Sequence, residues 1–246
     1  MTDIVFGVHA CVSMMSHAPE NILQLWVQQA PSSRLNEIIQ DAKNLGIPVQ
    51  TVSKKVLDKK TQEQSHQGIL LEIKSVEVKS ETHLKHDLSH IAEGHKPGFY
   101  LILDGIQDPH NLGAIIRSAE AFGVQGLILP KSNSVGITPT VRKIACGAEL
   151  GLAIYQVANL ARSIEILKSN GIWVVGTMMD APQTLYQCDL KRSIALVMGN
   201  EQKGLKSLTQ KNCDEFVTIP LSGHTASLNV SVATGICISE VARQRG

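Results

Sequence analysis

The chain has 246 residues, enough for one large domain or two smaller ones that each bury a core. Apolar residues make up 43% and charged residues 18%, an ordinary globular balance; the net charge of +1 leaves no chain-wide basic footprint, and 4% aromatics argue against a surface that stacks many single-stranded bases. Five scattered cysteines with no C-x-x-C spacing read as reduced thiols of a cytosolic protein, not disulfides or a zinc site, and no apolar run approaches a membrane span.

Met1-Thr2-Asp3 leads straight into an apolar, strand-like segment, with no leader peptide. Short elements then alternate: helix near 8–16, strand 22–27, helix 34–44, strand 47–52, helix 54–60 and strand 68–73. Leu35, Ile38, Ile39, Ala42 and Leu45 form a helical stripe that Ser33 can N-cap and Gly46 can close. Residues 1–74 therefore read as a small α/β domain. Lys54, Lys55, Lys59 and Lys60 cluster on its third helix, either as a solvated face or as phosphate contacts.

Residues 75–97 turn polar and mixed in charge, as a linker does, with at most a turn or two of helix near 87–92. His83, His86, His90 and His95 lie there, but no Cys or paired carboxylate supports a metal site.

Residues 98–246 form the larger domain. Apolar strands over 99–103, 126–129, 152–155, 172–176, 194–198 and 216–219 alternate with helices over 109–122, 139–146, 160–169, 205–212 and 228–243. Continuous apolar strands separated by helices predict a parallel sheet covered on both faces. Thr138 before Pro139, and Asn159, are N-caps, while Gly123 and Gly171 stop helices.

In such sheets ligands bind beyond the C-terminal strand ends. After the first strand of this domain, Pro109 starts a helix with Asn111 in its first turn and Arg117 about two turns on. Arg117 sits among apolar residues. Its guanidinium suits a phosphate or carboxylate, or a surface pair with Glu120. After 194–198, Gly199 and Gly204 bracket Glu201, so the backbone can approach a ligand closely. The frame is neither a dinucleotide fingerprint nor a P-loop. After 216–219 a polar loop enters a Val-rich helix. There Ser227 fits an N-cap and Asn229 falls in the first turn, facing a ligand or simply capping.

These segments, DPHNLGAIIRSAEAFG at 108–123, ALVMGNEQKGL at 195–205 and IPLSGHTASLNVSVA at 219–233, resemble the three motifs of the SpoU/TrmH class of SPOUT methyltransferases. Gly7-Val8-His9-Ala10, His66-Gln67-Gly68-Ile69 and Val241-Ala242-Arg243-Gln244-Arg245 extend the resemblance over nearly the whole chain. It is strongest to the branch that methylates a guanosine ribose in the P loop of 23S rRNA. One departure is Gln202, where many relatives have Gly.

The resemblance implies an L30e-like RNA-binding domain before a catalytic domain with a C-terminal trefoil knot, and a cytoplasmic homodimer with sites at the subunit interface. It implies S-adenosylmethionine held by loops around Thr177, Gly199, Ile219 and Leu228. Asn111, Arg117, Glu201, Ser227 and Asn229 occupy the catalytic-motif positions. The RNA partner it implies is 23S rRNA or a large-subunit assembly intermediate, with Lys54, Lys55, Lys59 and Lys60 expected on its phosphates. Other readings are a tRNA or other rRNA 2′-O-methyltransferase, or a non-catalytic ribosome-assembly factor. An oxidoreductase would lack its glycine fingerprint.

Overall fold

The computed structural model describes residues 2–75, 77–91, 97–201 and 203–246. The chain forms two compact units, Met1–Glu77 with Ile137–Gly151, and Val78–Gly136 with Leu152–Gly246.

The first unit contains β1 (Thr2–Phe6), α1 (Val8–His17), β2 (Ile22–Gln28), α2 (Ser33–Asn44), β3 (Val49–Val52), α3 (Lys54–Lys60) and β4 (Ile69–Lys74). The strand order is β1-β4-β2-β3, with β4 antiparallel to both neighbours and β3 parallel to β2. Strand alternation sends neighbouring residues to opposite faces. Val5, Leu25, Val27 and Leu71 pack with Met14, Leu35 and Ile38, whereas Phe6 and Leu70 pack with Leu57. Each fully buried leucine in these layers contributes about 1.5–3 kcal/mol.

Most boundaries shift by a residue or so from the sequence reading, and two of the differences have a clear local cause. Ser32, not Ser33, caps α2, because its extended backbone lets its Oγ accept from Leu35 N. β3 starts at Val49 and not at 47, because Pro48 has no N–H for a ladder; its carbonyl instead accepts from Leu25 N.

The second unit begins with α4 (Glu81–Ile91), followed by β5 (Phe99–Asp104), α5 (Pro109–Ala121) and β6 (Gly126–Pro130). Next comes α6 (Pro139–Ala145), which belongs to the first unit. There Val141 and Ala145 are buried, and the buried Arg142 pairs with Asp3 at 2.9 Å. The second unit resumes with β7 (Ala153–Val157), α7 (Leu160–Ser169), β8 (Trp173–Thr177), β9 (Gln183–Thr184), β10 (Ile194–Gly199), α8 (Ser207–Asn212), β11 (Glu215–Thr218) and α9 (Val230–Arg245).

Seven parallel strands lie in the order β7-β6-β5-β10-β8-β11-β9. The chain winds outward from β5 to β7, crosses to β8, and later inserts β10 between β5 and β8. The apolar segment 194–198 predicted this buried position, and Ile194 to Met198 are all buried. The two-residue β9 carries no periodicity to reveal it.

The segment read as a linker contains an 11-residue helix. Leu84 and Leu88, one turn apart, are buried in the core under β5–β7. Asp87 accepts from Lys79 Nζ and Tyr155 OH, each at 2.7 Å, and the Lys79 backbone pairs with Ile154 and Gln156. Leu84, Leu88 and Ile91, set in a polar and charged stretch, made too short a stripe to separate this helix from a linker. His95 and the end of the predicted helical turn near 92 lie outside the described residues.

Candidate active site

The parallel register brings Asp104, at the end of β5, beside Gly199, at the end of β10. Asp104 is fully buried; its Oδ2 accepts from Lys206 N at 2.9 Å and its Oδ1 pairs with Lys206 Nζ at 3.0 Å. This bond holds Lys206 extended, so α8 starts at Ser207 and not at 205. Asp108 caps α5 through its carboxylate, which accepts from His110 N at 2.7 Å, and Pro109 occupies N1. Asn111 thereby sits buried in the first turn.

The loop after β10 folds back on itself. Asn200 and Gly204 exchange both backbone hydrogen bonds, at 3.0 and 2.9 Å. A Cβ on Gly199 would lie 2.4 Å from Gly204 C, and Gly204 has φ +65°. Both glycines of the motif are thus required by sterics. Asn200 Nδ2 ties the loop to Gly105 O at 2.8 Å. Gln202 lies outside the described residues.

The last element differs from expectation at its start. Asn229, not Ser227, is the N-cap of α9, because Asn229 Oδ1 accepts from Ser231 N at 2.8 Å and from Ser231 Oγ at 2.6 Å. The first helical residue is therefore Val230.

Three chain segments meet here. Asn229 Nδ2 donates to Asn111 Oδ1 at 3.0 Å, and Asn111 Nδ2 donates to Glu201 Oε1 at 3.0 Å. Beside this bridge lies a cavity of ≈ 300 Å³. Its lining includes Thr177, Gly199, Ile219 and Leu228, together with Glu201, Ser227 and the apolar Met178, Met198, Val217 and Val230. Thr177 Oγ1 is engaged with Val197 O at 3.0 Å, which leaves backbone groups as the main polar offer at that end. An apolar wall with polar groups at one edge suits a nucleoside-sized ligand that is part aromatic and part charged.

Arg117 is not among the described lining residues. It lies six positions on from Asn111, about 9 Å along the helix and about 120° around it. Its side chain is exposed. Lys54, Lys55 and Lys59 are exposed too, whereas Lys60 Nζ lies 4.0 Å from the centroid of the Trp26 ring. Lys55 and Lys59 share a side of α3.

Three of the cysteines are poor nucleophiles. Burial pushes the Cys188, Cys213 and Cys237 thiols up to about 12, so they stay protonated at neutral pH. Among the described residues, no group of three or more His, Cys, Asp and Glu is placed to hold a metal ion, and no helix is long and apolar enough to cross a membrane. Asn200 and Ser231 escaped the sequence reading. Asn200 lies between Gly199 and Glu201, and Ser231 two positions past Asn229; that nearness was the available signal.

Comparison with known proteins places this geometry in context. The profile of the SpoU rRNA Methylase family matches residues 98–239, and a profile for RNA 2′-O ribose methyltransferase substrate binding matches residues 4–79. The chain is 48% identical to a protein of Shewanella oneidensis named 23S rRNA (guanosine-2′-O-)-methyltransferase RlmB, covering 99% of this chain and 98% of that one. A protein of the same name from Coxiella burnetii is 44% identical over 98% of this chain and 95% of its own length. In fold, the chain resembles the SpoU methyltransferase AviRb from Streptomyces viridochromogenes, solved in complex with AdoMet. The TM-score is 0.75 at 22% identity, covering 99% of this chain and 90% of that one.

Proposed function

The chain belongs to the SpoU rRNA methylase family, and on that premise we propose that it 2′-O-methylates a guanosine of 23S rRNA with S-adenosylmethionine. The observation that carries the site assignment is the Glu201–Asn111–Asn229 bridge standing beside the cavity. It joins residues from all three motifs.

The cavity fits the cofactor. Its apolar lining takes an adenine ring, the side-chain-free Gly199 admits a ligand close to the backbone, and Thr177, Ile219 and Leu228 bound it. The cofactor, when bound, supplies a methyl group on a sulfonium centre that departs readily. The protein therefore has to orient the ribose hydroxyl and remove its proton. Glu201 accepts that proton. Asn111 holds one of its oxygens in place, and the other oxygen accepts from Asn200 Nδ2 at 3.2 Å. Arg117 serves as a fork of N–H donors and not as the base. It binds the RNA phosphate and stabilises the developing oxyanion. Ser227 fixes the loop between β11 and α9.

The assembly is a cytoplasmic homodimer. Its subunit interface is where Arg117, outside the cavity of its own chain, reaches a site. The knot belongs to the segment that inserts β10 and returns through α9. The first unit recognises RNA, with Lys54, Lys55, Lys59 and Lys60 toward phosphates, and the target lies in the P loop of 23S rRNA. A 2′-hydroxyl is required, so DNA is no substrate.

The test is methyl transfer from labelled S-adenosylmethionine to unmodified 23S rRNA, with the modified nucleotide mapped. One labelled P-loop guanosine supports the whole reading. Label on tRNA alone would remove the substrate and keep the chemistry. Absence of both label and cofactor binding would overturn the enzyme.

A further inference from the structure

Resting on the methyl-transfer reading above, we propose that Ser231 is a positioning residue. Its backbone N–H sets the direction of the amide chain that holds Glu201, and its hydroxyl reinforces that setting. A backbone N–H only donates, and Ser231 N points at Asn229 Oδ1 from 2.8 Å. Asn229 must then turn Nδ2 toward Asn111, where the bond is 3.0 Å. Asn111 must receive it on Oδ1, which sends its own Nδ2 to Glu201 Oε1 at 3.0 Å. A carboxylate only accepts.

The two ends of the chain thus select the same direction independently. Turning both amides over would set N–H against N–H at Ser231 and oxygen against oxygen at Glu201. Asn111 is buried, at 8% exposure, where such mismatches cost most. Capping α9 needs only one donor onto Asn229 Oδ1, and the backbone supplies it. The second donor, Ser231 Oγ at 2.6 Å, goes beyond capping: it bonds the oxygen that the backbone N–H has already oriented and holds the amide in that setting.

A plain cap and an oriented chain respond differently to substitution. Aspartate caps a helix as well as asparagine does. Asn229→Asp therefore preserves the start of α9. It cannot donate to Asn111 Oδ1 unless it is protonated.

The experiment uses the full-length protein, unmodified 23S rRNA and S-adenosylmethionine, with single-turnover rates measured from pH 5.5 to 8.5 and cofactor affinity measured separately. Ser231→Ala is expected to slow transfer about five- to tenfold, the worth of one lost hydrogen bond, with cofactor affinity within about twofold. Ser231→Thr, which keeps the hydroxyl, is expected to recover most of the rate. Asn229→Asp is expected to lose more than tenfold at every pH in that range, because a carboxylate cannot donate to Asn111 Oδ1. Equal losses in Ser231→Ala and Ser231→Thr, or an Asn229→Asp enzyme with wild-type rate and pH profile, would overturn the proposal.

Failure of the functional reading shows up separately, as absence of transfer by the wild-type enzyme. The chain is then read from side-chain amide exchange in asparagine-labelled protein. Protection of the Asn111 and Asn229 amides that is lost in Ser231→Ala and restored in Ser231→Thr supports it. Protection indifferent to Ser231 refutes it.

Discussion

In the first unit, Lys54, Lys55 and Lys59 project into solvent from a seven-residue helix, and only Lys60 is held, over Trp26. In the second, Asn111 is buried and clamped between Glu201 and Asn229 beside a cavity. The lysines carry charge without fixed geometry, whereas the asparagines carry geometry without charge. A surface of the first kind attracts any polyanion and loses strength with salt. A site of the second kind acts only where distances are held, and it barely responds to salt. On the proposed function, the difference divides capture of RNA from placement of one ribose.

The largest expected effect tests that geometry. Gly199→Ala places a Cβ against the Gly204 backbone, so the loop carrying Glu201 must shift. Single-turnover transfer is expected to fall about a hundredfold, and cofactor binding, measured by calorimetry, to weaken with it. A rate within about threefold of wild type would mean that the tight turn does not position Glu201.

Arg117→Ala separates the RNA side of the site from the cofactor side. Turnover is expected to fall on the order of a hundredfold while cofactor affinity holds. If affinity dropped by the same factor, the assignment of Arg117 to RNA would be wrong.

Charge in the first unit is probed by Lys55→Ala with Lys59→Ala. RNA affinity is expected to fall severalfold, with the slope of log K against log salt reduced by between one and two. An unchanged slope returns the cluster to a solvated face.

The smallest effect concerns α4, which serves neither function directly. Burial pushes the Asp87 carboxyl up, but hydrogen bonds from Lys79, Tyr155 and His86 outweigh it and hold the group at about 2. A folded value below the unfolded one contributes stability above the unfolded pKa, and the contribution fades as pH falls toward 2. Asp87→Asn is expected to cost about 1 kcal/mol in urea unfolding at pH 7, allowing for partial exposure. The gap from wild type should narrow at pH 3. A gap that persisted unchanged would assign the loss to packing.

Much of this was legible in the residues. The alternation of apolar strands with amphipathic helices announces α/β units, because a strand covered on both faces must be apolar throughout and a helix must bury one stripe. Thr138, Asn159 and the glycines after α5 and α7 mark their helix ends correctly, since caps are local hydrogen bonds and local backbone angles. The frame Gly199-x-Glu201-x-x-Gly204 follows equally from local sterics. What periodicity reports is that an element buries a face, not against what. It did not place α6 in the first unit, hold α4 to the sheet through Asp87, or insert β10 beside β5. The bond from Asn111 to Glu201 spans 90 positions and that from Asn229 to Asn111 spans 118. No spacing rule reaches that far, because such contacts exist only once the strands that carry them share one sheet.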